Sequence, residues 1–439
     1  MKKLLALVLA VLMLMSCTSI SLAAEEHEPV TLTVWGGDLL NNTEFYNLMK
    51  ENYPWMDYEV VEADSVKIMS QIATGDAPDI WILSAFSMGC MYASRGLYEP
   101  LDEYIANSEV FGNVTWNPVQ NMYRYDAETG KLGEGPVYGI VKDFSVDSQL
   151  FINKKVFEDA GIPIPDPTAY YTWEDVREWA KACIKYDENG NQVRWGLGTS
   201  SDKYQLFTIM LEQMGSSMWS EDLTKANFTS DEMKYAIEYW ADMYKSNAAI
   251  GITGPGDWGG DSFAADNVGI LCLGHWFQAN LKLYENAKDR LDDFILIQTP
   301  QMDVNNPIQA CLAGVGGSIY SGSKHKEEAF QLLELYLGGS FGESRTAQGW
   351  GNPAIVEQMA FMPNTTAFEK QCYDANAQGL KDMVPLKTNP YVTPEGIAAT
   401  FNKYFNEYLY DRMTIEDVMN GMQKEFDFMI EEGIELATN

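Results

Sequence analysis

The chain has 439 residues, enough for two or three domains. With 46% hydrophobic and 13% aromatic residues it can bury large cores, which excludes a mainly disordered protein. Thirty Lys and Arg against 63 Asp and Glu give a formal charge of −33. Such a chain is repelled by nucleic-acid phosphate and has no basic surface for anionic lipid, so both partner classes are excluded.

Lys2 and Lys3 precede an apolar run from Leu4 to Met15. A bilayer span needs about 20 residues, so this run reads as an export signal within residues 1–24. Two cleavage readings stand. Leu14-Met15-Ser16-Cys17 is similar to a bacterial lipobox, which would make Cys17 a lipidated N-terminus. Ser21-Leu22-Ala23-Ala24 offers the small residues of ordinary signal cleavage. Either way the expected location is outside the cytoplasm: lipid-anchored on the outer face of the cytoplasmic membrane, periplasmic or extracellular.

The alternating run Val30 to Gly36 predicts a strand that opens into a glycine loop. A helix over Asn42 to Lys50, a strand over Tyr58 to Glu62 and a helix over Val66 to Thr74, stopped by Gly75, follow. Pro78 to Leu83 reads as a fully buried strand, and Phe86 to Arg95 as a helix. Asp126 to Lys131 and Asp187 to Asn191 are turns, the second lacking the glycine and closing glutamate of a calcium loop. Ser148 to Asn153 is a strand and Lys154 to Ala160 a helix. Thr172 with Asp175 forms a capping box for the next helix. Further helices are predicted over Ser230 to Lys245, Lys326 to Leu337 and Thr414 to Glu432. Alternating strands and helices argue for an α/β layer architecture.

The catalytic inventory is thin. The histidines are His27, His275 and His325, with no HExxH motif and no Cys/His zinc spacing. No phosphate-binding glycine motif is present, and Ala85-Phe86-Ser87-Met88-Gly89 carries only half of a nucleophile elbow. Five cysteines beyond Cys17 are widely spaced, so no disulfide framework or metal site is expected. Paired carboxylates for glycoside hydrolysis are too unspecific among 63 acids to carry a reading.

The twelve tryptophans say more. Trp179 and Trp240 lie on predicted helix faces and read as core. Trp35, Trp258, Trp276 and Trp350 sit among glycines where loops leave strands. Flat aromatics beside carboxylates and amides suit a polyhydroxylated ligand: the ring covers the CH face of a sugar while Asp and Asn bind its hydroxyls.

These segments together resemble the family 1, sugar-type extracellular solute-binding proteins of bacterial ABC importers, the class that includes maltose-binding proteins. The resemblance rests on Thr31 to Asp38, Ala73-Thr74-Gly75-Asp76-Ala77-Pro78-Asp79-Ile80 and Gly96-Leu97-Tyr98-Glu99-Pro100-Leu101-Asp102. It continues through Tyr138-Gly139-Ile140, Phe151-Ile152-Asn153-Lys154, Ala160-Gly161-Ile162, Thr172-Trp173-Glu174, Val268 to Trp276 and Ser318 to Ala329. The matches are collinear from about residue 30 to 353. Val141-Lys142-Asp143 departs from the family's usual proline at that point.

The resemblance implies a two-lobed periplasmic-binding-protein-like α/β fold, each lobe a mainly parallel sheet flanked by helices, with a ligand cleft between lobes. By analogy residues 28–141 plus 300–347 form the N-terminal lobe and 142–299 plus 348–439 the C-terminal lobe. It also implies a monomeric, non-catalytic receptor that needs no cofactor and works with ABC importer membrane subunits. Because ligands sit at the carboxyl ends of strands in open α/β sheets, the expected sugar-binding residues are Trp35, Asp38, Ser84 and Phe86 from one lobe. Asp143, Tyr204, Trp219, Trp258, Asp261, Trp276 and Trp350 are expected from the other. Two rival readings remain: a binder of a peptide or other polar, cationic solute, and a secreted polysaccharide-active enzyme.

Overall fold

The apolar alternation of Val30, Leu32 and Val34 turns those side chains to one face of a strand, where all three are buried. A computed structural model describes residues 27–36, 39, 41–61, 65–84, 89–199, 203–251, 259–311, 314–385 and 387–438. In chain order its strands are β1 (Val30–Trp35), β2 (Met56–Val61), β3 (Ile80–Ser84), β4 (Arg124–Asp126) and β5 (Lys131–Val137). They continue with β6 (Ile140–Phe144), β7 (Leu150–Asn153), β8 (Lys185–Tyr186), β9 (Gln192–Thr199) and β10 (Val268–Cys272). The remaining strands are β11 (Phe294–Ile297), β12 (Gln309–Cys311), β13 (Gly314–Ile319), β14 (Asn352–Pro353) and β15 (Met383–Pro385).

Two main sheets result, one per lobe. The first has the order β14-β6-β13-β3-β1-β2 and the second β11-β7-β10-β9-β8. Both are mixed rather than mainly parallel. β1 runs parallel to β2 and β3, as strand–helix alternation demands, but β13 is antiparallel to β3 and β6. β10 is parallel to β9 and antiparallel to β7. The physical reason is the chain path: strands arriving from the opposite lobe need no crossover helix on their own sheet, so they can enter in the reverse sense.

Local signals set the helices. Asn42 accepts from the Phe45 amide and caps the helix Thr43–Asn52. Thr172 and Asp175 form the reciprocal capping box of the helix Trp173–Cys183. Ser230 caps Asp231–Lys245, which buries Trp240 at 1% exposure among Trp173, Phe207 and Tyr244. Trp179 packs partly buried against the same core. The four described cysteines, Cys183, Cys272, Cys311 and Cys372, are all free and buried.

The chain passes between the lobes after β6, after β11 and after β14, and apart from the Asp147 carboxylate in the first passage the polar side chains described there are neutral. Ser148 and Thr299 hydroxyls meet at 3.0 Å. The side-chain amides of Gln149 and Gln298 both donate to the Ala375 carbonyl, at 3.2 and 3.0 Å. Gln309 donates to Gln298 at 3.3 Å. Asn352 and Asn376 exchange amide bonds of 3.2 and 2.7 Å, and Asn352 also donates to the Phe144 carbonyl. All of these amide and hydroxyl side chains are buried, and they satisfy one another and nearby carbonyls except at the Gln149 side-chain oxygen, which meets no protein donor. Asn376→Ala removes the donor to the Asn352 side-chain oxygen, whose amide nitrogen keeps the Phe144 carbonyl, and denaturant melts should show a loss of about 1–3 kcal/mol. An unchanged midpoint would mean that the Asn352 amide is satisfied without Asn376.

Candidate functional site

Strand β6 ends on Lys142, Asp143 and Phe144, and the first passage begins at Ser145. A cavity of about 570 Å³ opens there, within the range of small-molecule sites. It is lined by Asn42, Glu44, Lys142, Asp143, Phe144, Ser145, Asp147, Trp276, Val315, Tyr336, Phe341, Arg345, Gln348 and Trp350.

Asp143 is clamped by cations from its own lobe. Arg345 Nη2 donates to its Oδ2 at 2.5 Å, and Lys142 Nζ lies 3.6 Å from the same oxygen. The Arg345 guanidinium also lies over the Tyr336 ring, 5.4 Å from its centroid. Trp350 follows the left-handed turn at Gly349 that ends the helix Gly339–Gln348, and its indole donates to the Gln348 side chain at 3.0 Å. Trp276 follows β10 and is partly buried against Phe277. The close approach of Gly274 fixes its loop: a Cβ there would collide with the Ser145 hydroxyl and the Asp147 carboxylate. Asp147 in turn accepts from Ser145 at 2.5 Å.

Behind the two indole loops lie His275 and Gln278, both buried. Gln278 sits beneath Gly349, its Cδ within 3.4 Å of where a Cβ would stand. Desolvation alone lowers the His275 pKa to about 3, so the ring is neutral in the folded protein.

Asp143, Trp276 and Trp350 are thus brought together at one cavity. The remaining expected residues divide. Trp35 is corrected to core: it is 2% exposed and packs edge-on to Trp81 at 5.1 Å, because the face of β1 opposite Val30, Leu32 and Val34 is itself covered at that end by Ile68, Trp81, Met91 and Tyr92. Trp219 is also core, at 5% exposure, edge-on to Phe426 at 5.7 Å. Tyr204, at 4% exposure, is buried in the same second-lobe cluster. Asp261 is exposed in the first turn of the short helix Gly260–Ala264 and lines none of this cavity. Ser84 closes β3 opposite Val315, and only its backbone is described. Asp38, Phe86 and Trp258 lie outside the described residues. Reading the sequence missed Lys142, Arg345 and Gln348. Lys142 and Gln348 stand next to Asp143 and Trp350 in the chain but carry no motif, and only the fold brings Arg345 to Asp143.

Among the described residues no cluster of His, Cys, Asp or Glu could hold a metal ion, and no helix is long and apolar enough to cross a membrane. The family model for bacterial extracellular solute-binding proteins matches residues 52–338. This chain belongs to that family. Solved solute-binding proteins share its fold. One is an ABC substrate-binding protein from Listeria monocytogenes in complex with cycloalternan, 21% identical with a TM-score of 0.72, covering 92% of this chain and 100% of that one. A second, from Thermotoga lettingae with bound alpha-D-tagatose, is 19% identical with a TM-score of 0.72, covering 91% and 99%. A third is the maltose/maltodextrin-binding domain from Bdellovibrio bacteriovorus bound to maltotriose, 16% identical with a TM-score of 0.72, covering 92% and 100%. No curated protein matches the chain. The fold of this solute-binding protein is therefore the two-lobed periplasmic-binding-protein architecture.

Two measurements probe the cavity. Trp276→Ala should leave the fold intact and weaken ligand binding by about 1–3 kcal/mol, read by calorimetry, whereas Trp240→Ala should cost about 3–5 kcal/mol of stability. Early melting of Trp276→Ala with normal binding would make Trp276 core. His275 gives a pH signature. Its folded pKa near 3 lies below the ordinary 6.5, so the unfolded chain takes up a proton that the folded chain refuses. The stability held above pH 6.5 is lost as pH falls towards 3. Denaturant midpoints of His275→Leu should fall less steeply than wild type across that window, and parallel curves would contradict a buried neutral ring.

Proposed function

We propose that this solute-binding protein is the sugar or oligosaccharide receptor of an ABC importer. The observation that carries this reading is the pairing of Trp276 and Trp350 on the lining of one cavity that also presents Asp143, Arg345 and Gln348. Indole faces cover the apolar face of a pyranose, and the carboxylate, guanidinium and amide supply acceptors and donors for its hydroxyls. The sugars bound by the similar Listeria, Thermotoga and Bdellovibrio proteins agree with that chemistry.

Asp143 argues against the cationic-solute reading. Its charge is already met by Arg345 and Lys142, and the lining as a whole sets these two cations among Glu44, Asp143 and Asp147 rather than presenting carboxylates alone. The chain acts as a binder without catalysis and without a cofactor, as a monomer. Its lobes divide near residues 28–141 plus 300–347 and 142–299 plus 348–439, except that β6 and β14, which run past residues 141 and 347, stay with the first lobe's sheet. Residues 1–24 direct export, and Cys17 is the candidate lipid attachment point.

A thermal-shift panel of mono- and oligosaccharides tests the reading. A bound sugar at 100 times its dissociation constant should stabilise the protein by about 2.7 kcal/mol. Small-angle scattering with that sugar should show a smaller radius of gyration, since a ligand touching both lobes favours the closed state. A panel without hits, or appearance of cleaved product on long incubation, would reject the sugar-receptor reading.

A further inference from the structure

Away from the three passages, the lobes touch at a second place. The chain leaves β15 and enters a short strap, residues 387–392, before the helix Pro394–Leu409. The strap is anchored in its own lobe. The Asn389 side chain donates to the Leu223 carbonyl at 3.0 Å and accepts from the Tyr391 amide at 2.9 Å. Gly433 leaves room for the Tyr391 carbonyl, where any Cβ would collide.

The other side of the strap meets the first lobe. The Ser94 hydroxyl, in the helix Cys90–Ser94, donates to the Pro390 carbonyl at 3.3 Å while also donating to Met91 at 2.8 Å. The Tyr391 hydroxyl stands over the β4–β5 turn, 3.2 Å from where a Cβ on Gly130 would be. It lies beside the phenol of Tyr125, whose pKa is pushed up to about 12 by burial first and then by Tyr391. Glu395, three residues past the strap, lies close enough to Tyr92 to raise its pKa further. Tyr92, Ser94 and Tyr125 are all buried.

We propose that this strap is a clasp between the lobes, with the Tyr391 hydroxyl and the Pro390 carbonyl as its two catches, and that it sets how far the lobes open before ligand arrives. Contacts between hinged bodies that lie off the hinge exist at one lobe angle and are lost at others. They therefore add free energy to that angle alone and shift the population toward it. A receptor whose competent state is more populated binds with a smaller conformational penalty. Tyr391 and Ser94 are positioning residues here and need not touch the solute.

The test uses the ligand-free protein, so it stands or falls separately from the identity of the solute. Tyr391→Phe removes one catch and keeps the ring, and Ser94→Ala removes the other. Each should raise amide exchange about 2–10-fold over residues 92–95 and 388–393, as loss of one hydrogen bond implies. Exchange in β7 and β10 should not change, and the scattering radius of the ligand-free chain should increase. A second readout is the radius with the sugar that scores highest in the panel: the bound radius should equal that of wild type. Unchanged exchange and radius in both variants would overturn the clasp. A uniform rise in exchange with a lowered melting midpoint would also overturn it, because the contact would then be ordinary packing.

Discussion

A chain that passes three times between two apolar bodies must carry its backbone through a region shielded from water. Every buried amide and carbonyl there needs a partner, and charged partners would be costly to desolvate. Apart from the Asp147 carboxylate, this protein answers with neutral side chains: Gln149, Gln298 and Gln309, the Ser148–Thr299 pair, and the reciprocal Asn352–Asn376 pair. The position of the cavity follows from that choice. β6 delivers Asp143 at one end of a passage, and the Asn352 pair fixes the strand that follows Trp350.

In the cavity the charge of Asp143 is met by cations, while Glu44 and Asp147 also stand on the lining. Lys142 and Arg345 meet Asp143, and a ring lies under the guanidinium. What remains exposed is a mixture of flat apolar faces and fixed donors and acceptors. Such a surface discriminates by shape and hydroxyl pattern more than by net charge, which is the selectivity a polyhydroxylated solute requires.

Much of this was legible in the chain. Alternation gave β1, capping residues gave the helices at Thr172 and Ser230, and glycine-flanked indoles pointed to Trp276 and Trp350. The same glycine signal failed at Trp35, which alternation places opposite Val30, Leu32 and Val34, because a second apolar cluster around Trp81 and Tyr92 covers that face as well. Strand sense was not legible either. Period-two patterning says which face is buried and nothing about whether the neighbouring strand arrives from the same lobe. Arg345 illustrates the remaining gap: its role comes from a partner 202 residues away in sequence.

Members of this family work outside the cytoplasm, where oxidants are abundant and thiols are commonly paired. The four described cysteines are unpaired, each buried. Burial pushes the thiols of Cys183 and Cys272 up to about 12. Since the thiolate is the reactive species, a thiol held that far up stays protonated at neutral pH. The cores that hold the lobes together thereby act as chemical shielding: each sulfur behaves as a small hydrophobe, and the receptor can persist in an oxidising space without a disulfide among these four.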